Sequence, residues 1–436
     1  MKKTSWLLPL LLAATPALAV DLLQVYRQAQ DYDAVFATAR ANLDAGREKG
    51  PQGLSGLLPS LSLSGNTAWN DNDISSGGVS TARQYNSNAY TLSLSQPVFR
   101  WQNWVAYDQG KLAVALAEAQ FVQARQDLIL RVAQAYFDVL NAQVNLQAAE
   151  AQKVAIAQQL EQAKKNFEVG TSTVVDTYEA QSRYDLATAQ EISSANDLEV
   201  QREALRVIIG EVPESLSTLD TSKPILPPQP ARMDPWVEAA QKDNVAVQIQ
   251  QHNAEIASKE AEKARAGHYP TLDLVASSGR SKGISSSGGS ARVETDVNSI
   301  GLQLNVPIYQ GGYVSSKARE AAASYTAAMS SLESARRNAA LSARQSYLGV
   351  VNGLAQIKAL EAAHASSKAS LESNKLGYEV GVRINIDVLN AEQQLFVTRR
   401  DLAKSYHDTL MARLRLKGAV GSLDEPDLQE INALLK

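Results

Sequence analysis

Two hydrophobic periods alternate along this chain. Between residues 59 and 70 the polarity switches at every position: Leu61, Leu63 and Gly65, with Trp69 further on, share one face, and Ser62, Ser64 and Asn66 share the other. Tyr90, Leu92 and Leu94 alternate with Thr91, Ser93 and Ser95 over 89–99, and Leu272, Leu274, Ile300, Leu302 and Leu304 repeat the pattern over 270–279 and 299–309. A period of two predicts strands. One apolar face and one face of Ser, Thr, Asn and Gln is what a lipid-facing barrel with a wet lumen requires. A soluble sandwich strand alternates too, but the hydroxyl-rich second face suits a water-filled interior. Asp71 to Asn88 and Gly279 to Ser299, rich in Gly and Ser, are expected to be exposed loops. Asp71-Asn72-Asp73 lacks the remaining ligands of a calcium loop, so no metal is expected there.

The second period is helical. From about 101 to 167 there is no proline and little glycine, which predicts one helix of roughly 100 Å. Leu128, Val132, Ala135, Val139, Ala142 and Leu146 fall at coiled-coil spacing. Residues 312–378 repeat this layout, and shorter return helices are expected over 173–209 and 383–417, after turns at 168–172 and 379–383. Trp101 and Trp104 fit either an anchor at a membrane interface or ordinary helix packing. The segments ahead of the strands, roughly 31–49 and 243–266, have the length to cover what the return helices leave bare.

The chain is duplicated. Leu58-Pro59-Ser60-Leu61-Ser62-Leu63 matches Tyr269-Pro270-Thr271-Leu272-Asp273-Leu274, Pro97-Val98-Phe99 matches Pro307-Ile308-Tyr309, and Phe167-Glu168-Val169-Gly170 matches Tyr378-Glu379-Val380-Gly381, at an offset of 210 or 211 residues. The expected domains are a first repeat at 20–223, a Pro-rich linker at 224–233 and a second repeat at 234–436, closing with a C-terminal equatorial segment at 418–436. Residues 1–19 read as a secretory signal: Lys2 and Lys3, an apolar run from Leu7 to Leu12, and Ala17-Leu18-Ala19 as a cleavage site.

Composition narrows the function. With no cysteine there are no disulfides, thiolate nucleophiles or Cys-held metals. Lys and Arg total 42 against 46 Asp and Glu, a net charge of −4; loss of Lys2 and Lys3 would make it −6. That is no footprint for nucleic acid. The four histidines, His252, His268, His364 and His407, lack metal-ligand spacing, and no phosphate loop is present. No catalytic residue, metal or cofactor is expected, and any energy for transport has to come from a partner. Four strands per chain cannot close a barrel, and lipid does not tolerate open edges. Two chains would give eight strands and little lumen; three would give twelve, which suits a pore.

At the turns between the long helices a family resemblance appears. Gly377-Tyr378-Glu379-Val380-Gly381-Val382-Arg383-Ile384-Asn385-Ile386-Asp387-Val388-Leu389-Asn390-Ala391, and Phe167 to Asp176 in the first half, resemble the periplasmic tips of the TolC family of outer-membrane efflux proteins. Gly267 to Leu274 and Val306 to Gly312 resemble that family's helix–strand junctions. The resemblance implies a membrane α+β fold: a homotrimeric 12-stranded transmembrane β-barrel continued into a periplasmic α-helical coiled-coil barrel, with two tandem repeats per chain. It implies the exit duct of a tripartite efflux or type I secretion system in the Gram-negative outer membrane. Its partners would be outer-membrane lipid, a periplasmic adaptor and an inner-membrane pump of RND, ABC or MFS type. It further implies a gate latch at Asp176, Tyr378 and Arg383, a pore constriction at Asp387 and Asn390, and adaptor docking at Val169, Gly170, Val380 and Gly381. The chain departs from the family pattern at Asn390, where an aspartate is expected, and at Val175, where a polar residue would bond the arginine. The competing class is an adhesive or structural trimeric coiled-coil stalk without transport, which leaves the duplication unexplained.

Overall fold

The computed structural model describes residues 19–211, 213, 215–284 and 291–436. The signal-like segment, apart from Ala19, lies outside the described residues. The elements run α1 (Leu22–Tyr32), α2 (Ala34–Arg47), α3 (Lys49–Ser55), β1 (Ser60–Ser76), β2 (Val79–Phe99), α4 (Trp101–Glu168), α5 (Val174–Ile209), α6 (Met233–Asp243) and α7 (Val245–Arg265). They continue with β3 (Thr271–Ile284), β4 (Arg292–Asn305), α8 (Tyr313–Glu379), α9 (Asn385–Ala419) and α10 (Glu425–Asn432). Two compact units emerge. One gathers 19–39, 122–245 and 336–436; the other gathers 40–121 and 246–335. No described helix is long and apolar enough to cross a membrane.

The second of these units holds a four-stranded antiparallel sheet in the order β1-β2-β3-β4. Cross-strand register places Leu61 opposite Leu94, Leu63 opposite Leu92, Leu274 opposite Leu302 and Ala276 opposite Ile300. With Leu94 opposite Ala276, these side chains share one face. Ser62, Ser93, Ser277 and Ser299 share the other. Ile300 is 77% exposed, so the apolar face is uncovered within the chain.

The strands are longer than the alternation implies. Over 71–88 the structure has not a loop but a hairpin whose two-residue turn is Gly77-Gly78, both at positive φ, as a tight hairpin turn requires. Likewise β3 reaches Ile284 and β4 begins at Arg292, so most of 279–299 is paired strand. The reason is that the apolar face ends first. Beyond Tyr90 and Ile300 it carries Arg280, Lys282, Glu294 and Asp296, with Arg280 bonded to Asp296 at 2.6 and 3.0 Å. Polar residues on both faces erase the period-two signal while the backbone ladder continues.

In the same unit, α2 and α3 lie along the first part of α4. A Cβ on Gly46 would overlap that of Ala117, and one on Gly110 would sit 2.6 Å from the Lys49 carbonyl. From α7, Glu260 accepts from Gln109 Nε2 at 2.8 Å. These helices thus line a stretch of α4 as their length suggested. Where β2 passes into α4, Arg100 grips the buried Asp273 of β3 through two bonds of 2.7 and 2.6 Å.

The other unit is helical. Leu128, Ile129, Val132, Tyr136, Phe137 and Leu140 of α4 are buried, with Leu205 of α5 and Leu410 and Leu414 of α9. Ala135 and Leu146, expected in a single seam, are only half-buried. The buried face of α4 is broader than a coiled-coil seam because several elements cover it. Tyr136 Oη donates to the Ser217 carbonyl at 2.7 Å, Gln126 Nε2 donates to the Gly421 carbonyl at 2.9 Å, and Phe137 stacks on His407 of α9. Arg131 donates twice to the buried Asp33 between α1 and α2.

Candidate gate at the helical turns

Both turns lie in the helical unit and are built alike. α4 ends on Val169-Gly170, where Gly170 has φ of 77°, and Thr171 N–H closes onto the Asn166 carbonyl at 2.8 Å. α8 ends on Val380-Gly381 with φ of 76°, and Val382 N–H closes onto the Gly377 carbonyl at 2.8 Å. Left-handed backbone at each helix end demands glycine. Val169, Val175, Tyr178, Val380, Val382 and Ile384 are all exposed, Val382 at 79%. Together they leave an apolar surface around the two turns.

The helices that leave the two turns begin differently. Thr173 caps α5 in a reciprocal box: Asp176 N–H donates to Thr173 Oγ1, and Thr173 N–H donates to Asp176 Oδ2 at 2.8 Å. The backbone bond, then the Thr173 hydroxyl, hold the Asp176 carboxyl below the usual carboxylate range. The equivalent N-cap of α9 is Ile384, which has no oxygen to offer and makes no side-chain bond. Asp387, the counterpart of Asp176, is therefore left free of a capping role. It faces Arg383 at 3.7 Å instead.

Asp176, Tyr378 and Arg383 line one cleft of about 530 Å³ with Asn166 and Thr173. Tyr378 Oη accepts from Asn166 Nδ2 at 3.2 Å, tying α8 to α4. Arg383 lies back over the last turn of α8, against Gly377, where a Cβ would come within 2.7 Å of its Cγ. Within the chain, Asp176 serves its cap and Arg383 its neighbour Asp387; the cleft brings them together without a direct bond. The Asn390 amide oxygen accepts from Arg183 of α5 at 3.2 Å, so a guanidinium stands beside the expected second acidic position.

Three residues beside this cleft form a contact that was not visible in the sequence pattern. Glu392 of α9 is 4% exposed, with Lys375 Nζ of α8 at 3.4 Å and Gln159 Nε2 of α4 at 3.5 Å. Glu392 follows Asp387 as an ordinary helical acid, and neither its spacing nor its neighbours mark it as buried. No group of three or more His, Cys, Asp or Glu able to hold a metal occurs among the described residues.

A sheet with one apolar and one hydroxyl-lined face, attached to unbroken helices joined by exposed glycine turns, defines a membrane channel protein of the export type. The family model for "Outer membrane efflux protein" matches at 25–211 and again at 236–422, one match per repeat. The chain belongs to this family. It is 32% identical over 444 residues to outer membrane protein TolC of Vibrio cholerae, covering 100% of this chain and 99% of that protein. It is 33% identical to the alkaline protease secretion protein AprF of Pseudomonas aeruginosa, covering 97% and 89%. In fold it resembles the Campylobacter jejuni CmeC outer membrane channel, with a TM-score of 0.80 at 17% identity, covering 95% of this chain and 90% of that one. The protein is an outer-membrane exit duct of the efflux class. Two tandem repeats supply four barrel strands and the long helices that extend into the periplasm.

Proposed function

We propose that three copies of the chain close a 12-stranded barrel and form a passive conduit. Through it an inner-membrane pump, coupled by a periplasmic adaptor, expels small toxic compounds or unfolded proteins. The reading is carried by the sheet itself: β1 and β4 each keep one unpaired edge within the chain, and lipid tolerates no such edge. The hydroxyl-rich face then lines the lumen and the leucine face meets lipid. The conduit conducts rather than catalyses.

The turns serve as the gate. Asp387 and Asn390 line the constriction. Arg383, Tyr378 and Asp176 form the latch, with Arg383 exchanging its partner Asp387 for Asp176 as the turns rearrange. Val169-Gly170 and Val380-Gly381, with the exposed valines beside them, receive the adaptor. Each ion pair at so wet a site contributes about 0.2–1 kcal/mol, so three copies make a latch that docking can release. Arg383→Ser in planar bilayers is expected to raise single-channel conductance. Unchanged conductance removes Arg383 from the gate.

A further inference from the structure

Next to the turns lies a second arrangement, which the latch does not use. A cavity of about 180 Å³ is lined by Gln158, Gln159 and Gln162 of α4, Lys375, Tyr378 and Glu379 of α8, and Val388 and Glu392 of α9. Two buried groups in it are poorly served. Glu392, 4% exposed, has among the described residues only the long contacts to Lys375 and Gln159. Gln159, 9% exposed, has a side-chain Oε1 with no hydrogen-bond partner. Beside them an apolar layer of Ile156, Ala187 and Leu389 joins α4, α5 and α9.

The contact between the two side chains runs through Gln159 Nε2, which donates to the carboxylate. Once the carboxyl gains a proton and the amide turns over, the Glu392 O–H donates to Gln159 Oε1, and Nε2 takes the oxygen's former place in the cavity. The Lys375 ammonium, half in water, loses little when its partner is neutral. We propose that Glu392, with Gln159 and Lys375, is a proton-operated brace between α9 and α4: protonated, it holds the turns in the packed arrangement; ionised, it lets them part. This role for Glu392 rests on the turns being the gate.

The sign comes from linkage. Burial pushes the Glu392 carboxyl above the usual carboxylate range, and Lys375 only partly opposes this. Separating α9 from α4 would return it to water and its ordinary value. The packed state therefore binds the proton more tightly, and acid favours packing. The charged or titratable groups facing Glu392 are Lys375, Tyr378 and Glu379 of α8. From α5, Tyr184 packs near Leu389 and Arg183 bonds Asn390. α4 contributes only neutral amides, and on its own helix Asp387 lies five residues away.

The test is channel conductance against pH on the side of the helical turns. Wild-type conductance is expected to fall about twofold or more between about pH 7.5 and about pH 5. Glu392→Gln, which carries the protonated shape permanently, stays low and flat with pH. Gln159→Leu, which cannot accept, loses most of the acid response. A Glu392→Gln channel with the wild-type pH profile overturns the brace, as does a response that survives there but disappears in Asp387→Asn. Arg383→Ser in the same bilayers separates the two readings. If it raises conductance while Glu392→Gln changes nothing, the gate stands and the brace falls.

Discussion

At the residue scale the helical unit contains a titrating group with a clear sign. His407 is buried, stacks on Phe137 at 5.2 Å, and shares its Nδ1 with Asn141 Oδ1 at 2.6 Å. Burial lowers its pKa to about 4; nearby Asp408 opposes this and Lys404 reinforces it. Between about 6.5 and about 4 the unfolded chain binds a proton that the folded chain refuses, so stability falls as pH drops through that window. The cost at the acid end is roughly 3 kcal/mol. His407→Gln keeps a donor for Asn141 and cannot titrate. The apparent melting temperature of the wild type is expected to drop from about pH 7 to about pH 4.5 more steeply than that of the variant; parallel curves would assign the acid sensitivity elsewhere. Nothing around His407 in the sequence marks it as buried, because Phe137 and Asn141 come from a helix far earlier in the chain, Asn141 by 266 residues. The same holds for Arg183 beside Asn390 and for Gln159 beside Glu392. By contrast, Gly170, Gly381, Arg383 and Asp387 were legible, since a glycine turn and the charges after it are local features. The capping difference between Thr173 and Ile384 was in the sequence as well, but its consequence for Asp387 needed the bonds.

At the element scale the long helices were the most legible part, since a run without proline and with few glycines has nothing to stop it. The strands were half legible. The alternation reports lipid and lumen, and where the outer face turns charged the hairpin β1–β2 goes on without it. The close approaches between helices were not legible, because a glycine within a helix says nothing about what approaches it. Gly46 is a clear case: α2 comes so near α4 that a Cβ would overlap Ala117. Such overpacking typically costs about 1–3 kcal/mol. Gly46→Ala is expected to lower the thermal midpoint of the detergent-solubilised protein, and Gly46→Ala with Ala117→Gly to recover most of it. Failure of the second change to rescue would mean that the glycine is needed for something other than this contact.

At the scale of the whole assembly the decisive quantity is charge on the conduction axis. Asp387 brings one carboxylate per chain to the proposed constriction, and three in a narrow, low-dielectric throat concentrate a negative field. Two features of this chain dilute it. Arg383 sits 3.7 Å from each Asp387, and Arg183 holds Asn390 where a second carboxylate is expected. Cation preference should therefore be moderate and should respond in both directions. Asp387→Ala is expected to abolish block by multivalent cations added from the periplasmic side and to bring the reversal potential in a salt gradient close to zero. Asn390→Asp keeps the shape and the Arg183 contact while adding three charges, so it should strengthen both. Block and selectivity that ignore Asp387 would move the constriction off this ring. An Asn390→Asp channel indistinguishable from wild type would mean that Arg183 neutralises whatever stands at 390, and that the field on the axis is set by Asp387 alone.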